Sequence, residues 1–169
     1  WRFMFQPDFG LFKAFFDVLI TPLADMDWLG DTTLAMVALV GSDVWHWTPY
    51  LTMVLIGGLA TVPQDAREAA MIDGAGSWRV FMDVTLPSIL PVLAVCLVLK
   101  TIFSLKMFDQ VYMLTNGGPG NSTQTLAHYI YFNGFKYYNM GYASAVSYLL
   151  VIPMFGLTWI YMKLVFLKK

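Results

Sequence analysis

The sequence has little charge: only 12% of its 169 residues are Asp, Glu, Lys or Arg. That is about half of the ~25% carried by a soluble globular domain. Neither sign dominates, with ten basic and eleven acidic residues, so no field draws the chain to nucleic acid or anionic lipid. A single cysteine, Cys96, excludes a disulfide framework and sits in an apolar stretch, where it packs as a small hydrophobe. The two histidines, His46 and His128, lie far apart and share no ligand spacing with Cys96, so no metal site is expected. The N-terminus lacks the basic start and short apolar core of a signal peptide. Trp1 is not an initiator residue, which leads us to expect the C-terminal portion of a longer protein. Repeats and low-complexity tracts are absent too.

What is present is apolar. Hydrophobic residues make up 58% of the chain, aromatics 17% with six Trp and nine Tyr, and the mean hydropathy is +0.61. This composition indicates an all-α polytopic membrane protein with interfaces lined by aromatic rings. A spanning helix needs about 20 mostly apolar residues, and three stretches qualify: 33–60, 86–107 and 141–169, the last ending in a short tail. Residues 1–32 form a segment outside the spans. Within it, 9–23 is broken by Lys13, Asp17 and Pro22 and reads as an amphipathic segment lying at an interface, followed by a polar turn over 24–32. Residues 108–140 form a long connector containing "TNGGPGNST", a cluster of turn residues. Basic residues near the span ends favour a cytoplasmic 61–85 by five to four, sharpened by the terminal Lys168-Lys169 pair.

The loop 61–85 predicts two short helices. Thr61-Val62-Pro63-Gln64 has capping-box spacing, and Asp65 and Glu68 complement a helix N-terminus. Asp73-Gly74 marks a stop at which glycine takes the left-handed conformation. A second helix is expected from Ser77, presenting Trp78 and Phe81 and ending before Thr85-Leu86-Pro87. The apolar Met71, Ile72, Trp78 and Phe81 either pack against the protein's own helix ends or form a docking surface. Residue types alone leave both readings open.

The ordered set Glu68-Ala69-Ala70, Asp73-Gly74-Ala75 and Leu86-Pro87 resembles the "EAA" loop of ABC importer permeases. "FDQVYMLTNGGPGNSTQTL" (108–126), "YIY" (129–131) and "GYASA" (141–145) extend the resemblance to carbohydrate-type permeases of the maltose and glycerol-3-phosphate kind. Where those proteins usually have "NWLG", this chain has Asp27-Trp28-Leu29-Gly30. The resemblance implies that Glu68, Ala69, Ala70, Asp73, Gly74, Trp78 and Phe81 contact an ATP-binding cassette ATPase subunit. It also implies a second permease subunit, in a heterodimer, a periplasmic or lipid-anchored solute-binding protein, and a multi-pass location in the bacterial inner membrane. Permeases of this kind commonly have six or more spans, which fits an N-terminal truncation.

Ionisable groups inside spans are costly and usually face a bundle interior or a watery cavity. At about 100° per residue, Asp43, His46, Trp47 and Tyr50 share one helix face, and Lys100 and Ser104 stack one turn apart. Donors and acceptors beside aromatic rings suit a sugar, whose hydroxyls and C–H faces need both. The resemblance assigns Asp43, Trp47, Tyr50, Lys100 and Ser104 to the solute path. Blander readings stand beside it: an Asp43–Lys100 structural ion pair, a snorkelling Lys100, or an interfacial belt of Trp45, Trp47 and Tyr50. Pro49 frees the carbonyl of Trp45 and Pro153 that of Leu149. Small residues at Gly141, Ala143, Ser144, Ala145 and Ser147 suit close helix packing. The expected function is translocation of a sugar or sugar-like solute, with no chemistry and no cofactor. A phosphorylated or otherwise anionic solute is the alternative, and a membrane-embedded enzyme a remote one, since no nucleophile–base cluster is present.

Overall fold

Two aspartates organise the polar turn that precedes the first long helix. Asp27 Oδ1 accepts from the backbone N–H groups of Leu29 (3.3 Å) and Gly30 (2.9 Å). Asp31 Oδ1 accepts from Thr33 (2.8 Å) and Leu34 (2.9 Å), satisfying donors that a helix start leaves orphaned. The computed structural model describes residues 1–19 and 26–166. Pro22, Ala24, Asp25 and the Lys168-Lys169 pair, on which expectations were placed, lie outside the described residues. Among the described residues every regular element is helical, with no strand.

The helices are α1 (Leu11–Leu19), α2 (Thr32–Ala60), α3 (Gln64–Ile72), α4 (Ser77–Leu105), α5 (Asp109–Leu114), α6 (Leu126–Tyr131) and α7 (Met140–Phe166). Among the described residues, two are long and apolar enough to cross a membrane: Ser77–Leu105, and Met140–Lys163 within α7. Only 17% and 6% of their most apolar windows are buried by this chain. Such surface is stable only against lipid or further helices. Helix α2 has the length, 29 residues, but Ser42, Asp43, His46 and Pro49 interrupt its middle, and it falls short of the same apolarity.

Helix α4 differs from expectation. The second short helix does not end before Thr85; it passes through a π turn at Phe81–Thr85 and continues to Leu105. The cause is Pro87, which has no N–H to donate. The chain widens by one residue there, Leu86 N–H reaching back to Phe81 O, and Ser88 Oγ donates to Val84 O at 2.6 Å. A further proline, Pro91, lies inside α4 as Pro49 does in α2 and Pro153 in α7. Residues 108–140, expected as a connector, contain α5, α6 and a second π turn at Phe132–Lys136.

The chain divides into two compact units, Trp1–His46 with Phe103–Ile152, and Trp47–Ile102 with Pro153–Lys169. The first has a core of Phe5, Ala38, Leu39, Val111 and Leu114, with Phe12, Trp28, Leu29 and Met107 against it. Phe12 and Phe16 are one turn apart on α1. Phe12 stacks on Phe5 at 4.6 Å and Phe16 on Trp28 at 6.1 Å between centroids, while Phe15 and Val18 on the other side are exposed. Phe5 is buried and Phe12, Phe16 and Trp28 are half-buried, and the apolar area they remove from water, at about 25 cal/mol per Å2, holds α1 in place. On α7, Ala143 is buried beside Gly134, whereas Gly141, Ser144 and Ala145 are exposed. In the second unit, Gly58 lets Val92 approach closely, and Thr101 Oγ1 donates to Tyr161 Oη at 3.4 Å.

Candidate functional site

The hairpin of α3 and the start of α4 is built by its loop. The capping box expected at Thr61 does not form: the helix begins two residues later than that spacing requires, with Pro63 as its N-cap residue and no side-chain cap. Thr61 Oγ1 instead donates back to Gly58 O at 2.7 Å, closing the end of α2. Gln64 Nε2 donates to Glu68 Oε1 at 2.8 Å, so the glutamate is held one turn into α3. At the other end Gly74 has φ +82°. Gly74 N–H donates to Met71 O (3.1 Å) and Ala75 N–H to Ala70 O (3.0 Å), the paired bonds of a Schellman stop. A Cβ on Gly74 would meet nothing within 4 Å, so its requirement is conformational rather than steric.

This turn folds α3 back toward α4. Val80 and Thr85 face inward and are buried, beside a hollow of about 390 Å3 lined in part by Leu59, Val62, Arg67, Met71 and Phe81. The outward residues are another matter. Ile72 is 86% exposed and Trp78 71%, with Met71, Phe81 and Met82 also exposed. Trp78 and Phe81 form one aromatic patch, ring centroids 5.9 Å apart. Glu68, Ala69 and Asp73 are exposed on the same hairpin and Ala70 is half-buried. Arg79 and Asp83 pair at 3.4 Å on the surface, an interaction of about 0–1 kcal/mol.

Of the residues placed on the solute path, three come together. Lys100 Nζ sits 5.1 Å from the centroid of the Trp47 ring, and Trp47 meets Tyr50 edge-on at 5.7 Å. A cation over an indole face contributes about 0.5–2 kcal/mol. Asp43 and Ser104 are half-buried and belong to the other compact unit. Trp45 is exposed and edge-on to Trp1 at 6.3 Å.

The turn residues of the connector coil tightly. Asn116, Gly117, Gly120 and Asn121 all take positive φ, coiling the chain so that the Thr115 and Thr123 hydroxyls meet at 2.7 Å. Thr125 Oγ1 donates to Met107 O (2.7 Å) and accepts from His128 N–H, capping α6. His128 is 2% exposed, ringed by Phe108, Tyr112 and Phe132, with Gly117 so close that a Cβ there would lie 2.9 Å from its Cε1. Neither ring nitrogen has a hydrogen-bond partner among the described residues, and burial lowers its pKa, keeping it neutral. Nearby, Trp1, Arg2, Ser42, Asp109 and Gln110 line a hollow of about 250 Å3. Only the fold brings the N-terminus and Ser42 to Asp109 and Gln110. Among the described residues, no group of three or more His, Cys, Asp or Glu is placed to hold a metal.

Residues 3–165 match a family described as "Binding-protein-dependent transport system inner membrane component". The trehalose/maltose transport system permease protein MalF of Thermococcus litoralis is 40% identical over 166 residues, covering 96% of this chain and 54% of the relative. The sulfoquinovosyl glycerol transport system permease protein SmoG of Agrobacterium fabrum is 36% identical over 138 residues (82% of this chain, 45% of the relative). The diacetylchitobiose uptake system permease protein DasB of Streptomyces coelicolor is 32% identical over 166 residues (98% and 51%). The chain thus spans about half the length of the curated relatives it matches.

Proposed function

The chain belongs to the family of binding-protein-dependent transport system inner membrane components, and from that premise we propose that it is part of an ABC importer permease for a sugar or sugar-like solute. Its place is the inner membrane, crossed more than once, with 61–85 on the cytoplasmic side and α2 as a further span beside α4 and α7. The permease itself performs no chemistry. An ATP-binding cassette subunit hydrolyses ATP, a solute-binding protein delivers the solute outside, and a second, different permease subunit completes the path.

The observation that carries this reading is the hairpin. Its outer face places Met71, Ile72, Trp78 and Phe81 in solvent beside Glu68, Ala69, Ala70 and Asp73. Contiguous exposed apolar surface of this kind marks an interaction site, and small residues beside it admit close backbone approach. A nucleotide-dependent partner seated there shifts the permease between access states only through contacts that differ between those states. The sugar assignment draws support from the relatives' names, which specify trehalose/maltose, sulfoquinovosyl glycerol and diacetylchitobiose. It also draws support from the Trp47–Tyr50 pair beside Lys100, aromatic faces next to a hydrogen-bond donor. Lys100 is equally the observation behind a second reading, an anionic solute such as a phosphorylated sugar.

The test is ATP-driven uptake of labelled sugars by the complete importer in proteoliposomes, native against Glu68→Lys. Native uptake with loss in Glu68→Lys, at equal membrane insertion, is the expected result. Full uptake by the variant would remove the coupling role from the hairpin, and absence of sugar uptake by the native importer would remove the sugar.

A further inference from the structure

We propose that the turn leading into α7 binds the headgroup of an anionic phospholipid, with Lys136 on the lipid phosphate and Tyr137 and Tyr138 beside it. The inference needs only that α7 crosses the membrane; it does not depend on which solute is carried. Helix α7 has an apolar run of 24 residues, Met140–Lys163, about 36 Å at 1.5 Å per residue. A hydrocarbon core is about 30 Å thick, so the first turn of α7 stands at headgroup level. The π turn Phe132–Lys136 is fixed at that same level. Gly134 packs so closely on α7 that a Cβ there would lie 3.2 Å from Ala143 Cβ. Tyr137 N–H donates to Phe132 O (2.9 Å) and Asn139 N–H to Asn133 O (2.8 Å), closing the reversal. Tyr138 holds φ +56° within it.

The chemistry of this knob is that of a headgroup layer. Phe135 stacks on Tyr131 at 5.4 Å and Tyr137 meets Phe132 edge-on at 6.5 Å, so the rings are held from one side. Their other side is open: Phe135 is 60% exposed, Tyr137 71% and Tyr138 83%. Tyrosines suit a boundary at which the ring meets apolar chains and the hydroxyl stays wet. Lys136 is exposed, and between Asp109 and Lys163 it is the only Asp, Glu, Lys or Arg in the sequence. Neither its ammonium nor the Tyr137 and Tyr138 hydroxyls have a partner among the described residues. One cation and two hydroxyl donors, with no carboxylate in the same stretch, match a phosphodiester. Exposed apolar residues continue from the knob along α7 through Tyr148, Leu149 and Ile152, and only 6% of the helix's most apolar window is buried by this chain. The other end of the run repeats the pairing of base and ring, with Lys163 Nζ 5.0 Å from the Trp159 centroid.

The experiment uses the complete importer in vesicles of equal parts phosphatidylcholine and phosphatidylglycerol. Tyr138→p-benzoylphenylalanine is photolysed and the chain is weighed by mass spectrometry. The expected product carries one phospholipid. Phosphatidylglycerol should exceed phosphatidylcholine among the adducts about fivefold, the bias for one basic side chain at an anionic surface. Lys136→Gln in the same background should bring that ratio close to unity. Cross-linking to another protein without a lipid adduct would overturn the proposal. So would adducts in equal ratio with Lys136 present, or a ratio that Lys136→Gln leaves unchanged. Should the first variant fail to assemble, Tyr137→p-benzoylphenylalanine gives the same readout, and no adduct from it would overturn the proposal equally. Sugar uptake by the native importer is measured separately: its absence removes the sugar and leaves the lipid site standing.

Discussion

Replacing Gly74 separates backbone conformation from side-chain contact. The residue sits at φ +82° in the stop between α3 and α4, and a Cβ there meets nothing within 4 Å. Gly74→Val therefore places its Cβ in open space, and the cost considered is that of holding a β-branched residue in left-handed backbone. That cost is about 1–2 kcal/mol, which depopulates the folded-back hairpin by roughly 5- to 30-fold. Asparagine tolerates the same region far better, so Gly74→Asn should stay within a few-fold of native. The assay is ATP-driven uptake at equal permease content, together with ATPase stimulation by the loaded binding protein. If the turn positions Glu68 and Trp78 for a partner, both activities fall in Gly74→Val and survive in Gly74→Asn. Equal activity in the two variants would refute the reasoning, because hairpin geometry would then not matter to coupling.

Two further outcomes follow from the geometry. Lys100→Ser removes the ammonium over the Trp47 ring; if the solute is neutral, the ratio of neutral to anionic uptake should change less than threefold, whereas an anion contact predicts a loss of tenfold or more, about 1.4 kcal/mol. His128 has its pKa below the ordinary 6.5 because it is buried, so the unfolded chain binds the extra proton first. Stability is therefore whole above that value and falls as pH drops through it toward the lowered folded value. Melting at pH 7.5 and pH 5 should show an acid-dependent drop in the native protein that is smaller in His128→Leu; an identical drop would place the acid sensitivity elsewhere.

The features legible in the sequence were those with local causes. The all-helical class follows from long apolar runs, and the stop at Gly74 from an Asp-Gly pair ending an apolar-periodic stretch; the helix closes there with both Schellman bonds. Thr61 shows the limit of local reasoning. Its spacing to Gln64 fits a capping box, yet its hydroxyl also reaches Gly58 O in the preceding helix, and that bond is the one formed. Thr85-Leu86-Pro87 reads as the place where the short helix ends and a new one opens; the helix instead runs through, widening by one turn. The hollow at Gln110 was not legible, because it joins Trp1, Ser42 and Gln110 from three distant parts of the chain. Helix α6 was hidden by length: six residues are too few for a periodic pattern.

The π turn at Phe81–Thr85 also bears on how the gene can change length. A wide turn holds one residue more than an α-turn needs, so a single deletion between 81 and 85 restores ordinary helix without rotating what lies on either side. The same deletion elsewhere in Ser77–Leu105 swings everything beyond it by about 100°, carrying Trp78 and Lys100 out of phase. Loss of a residue in this helix should therefore concentrate at those five positions, where one codon fewer leaves the two ends aligned.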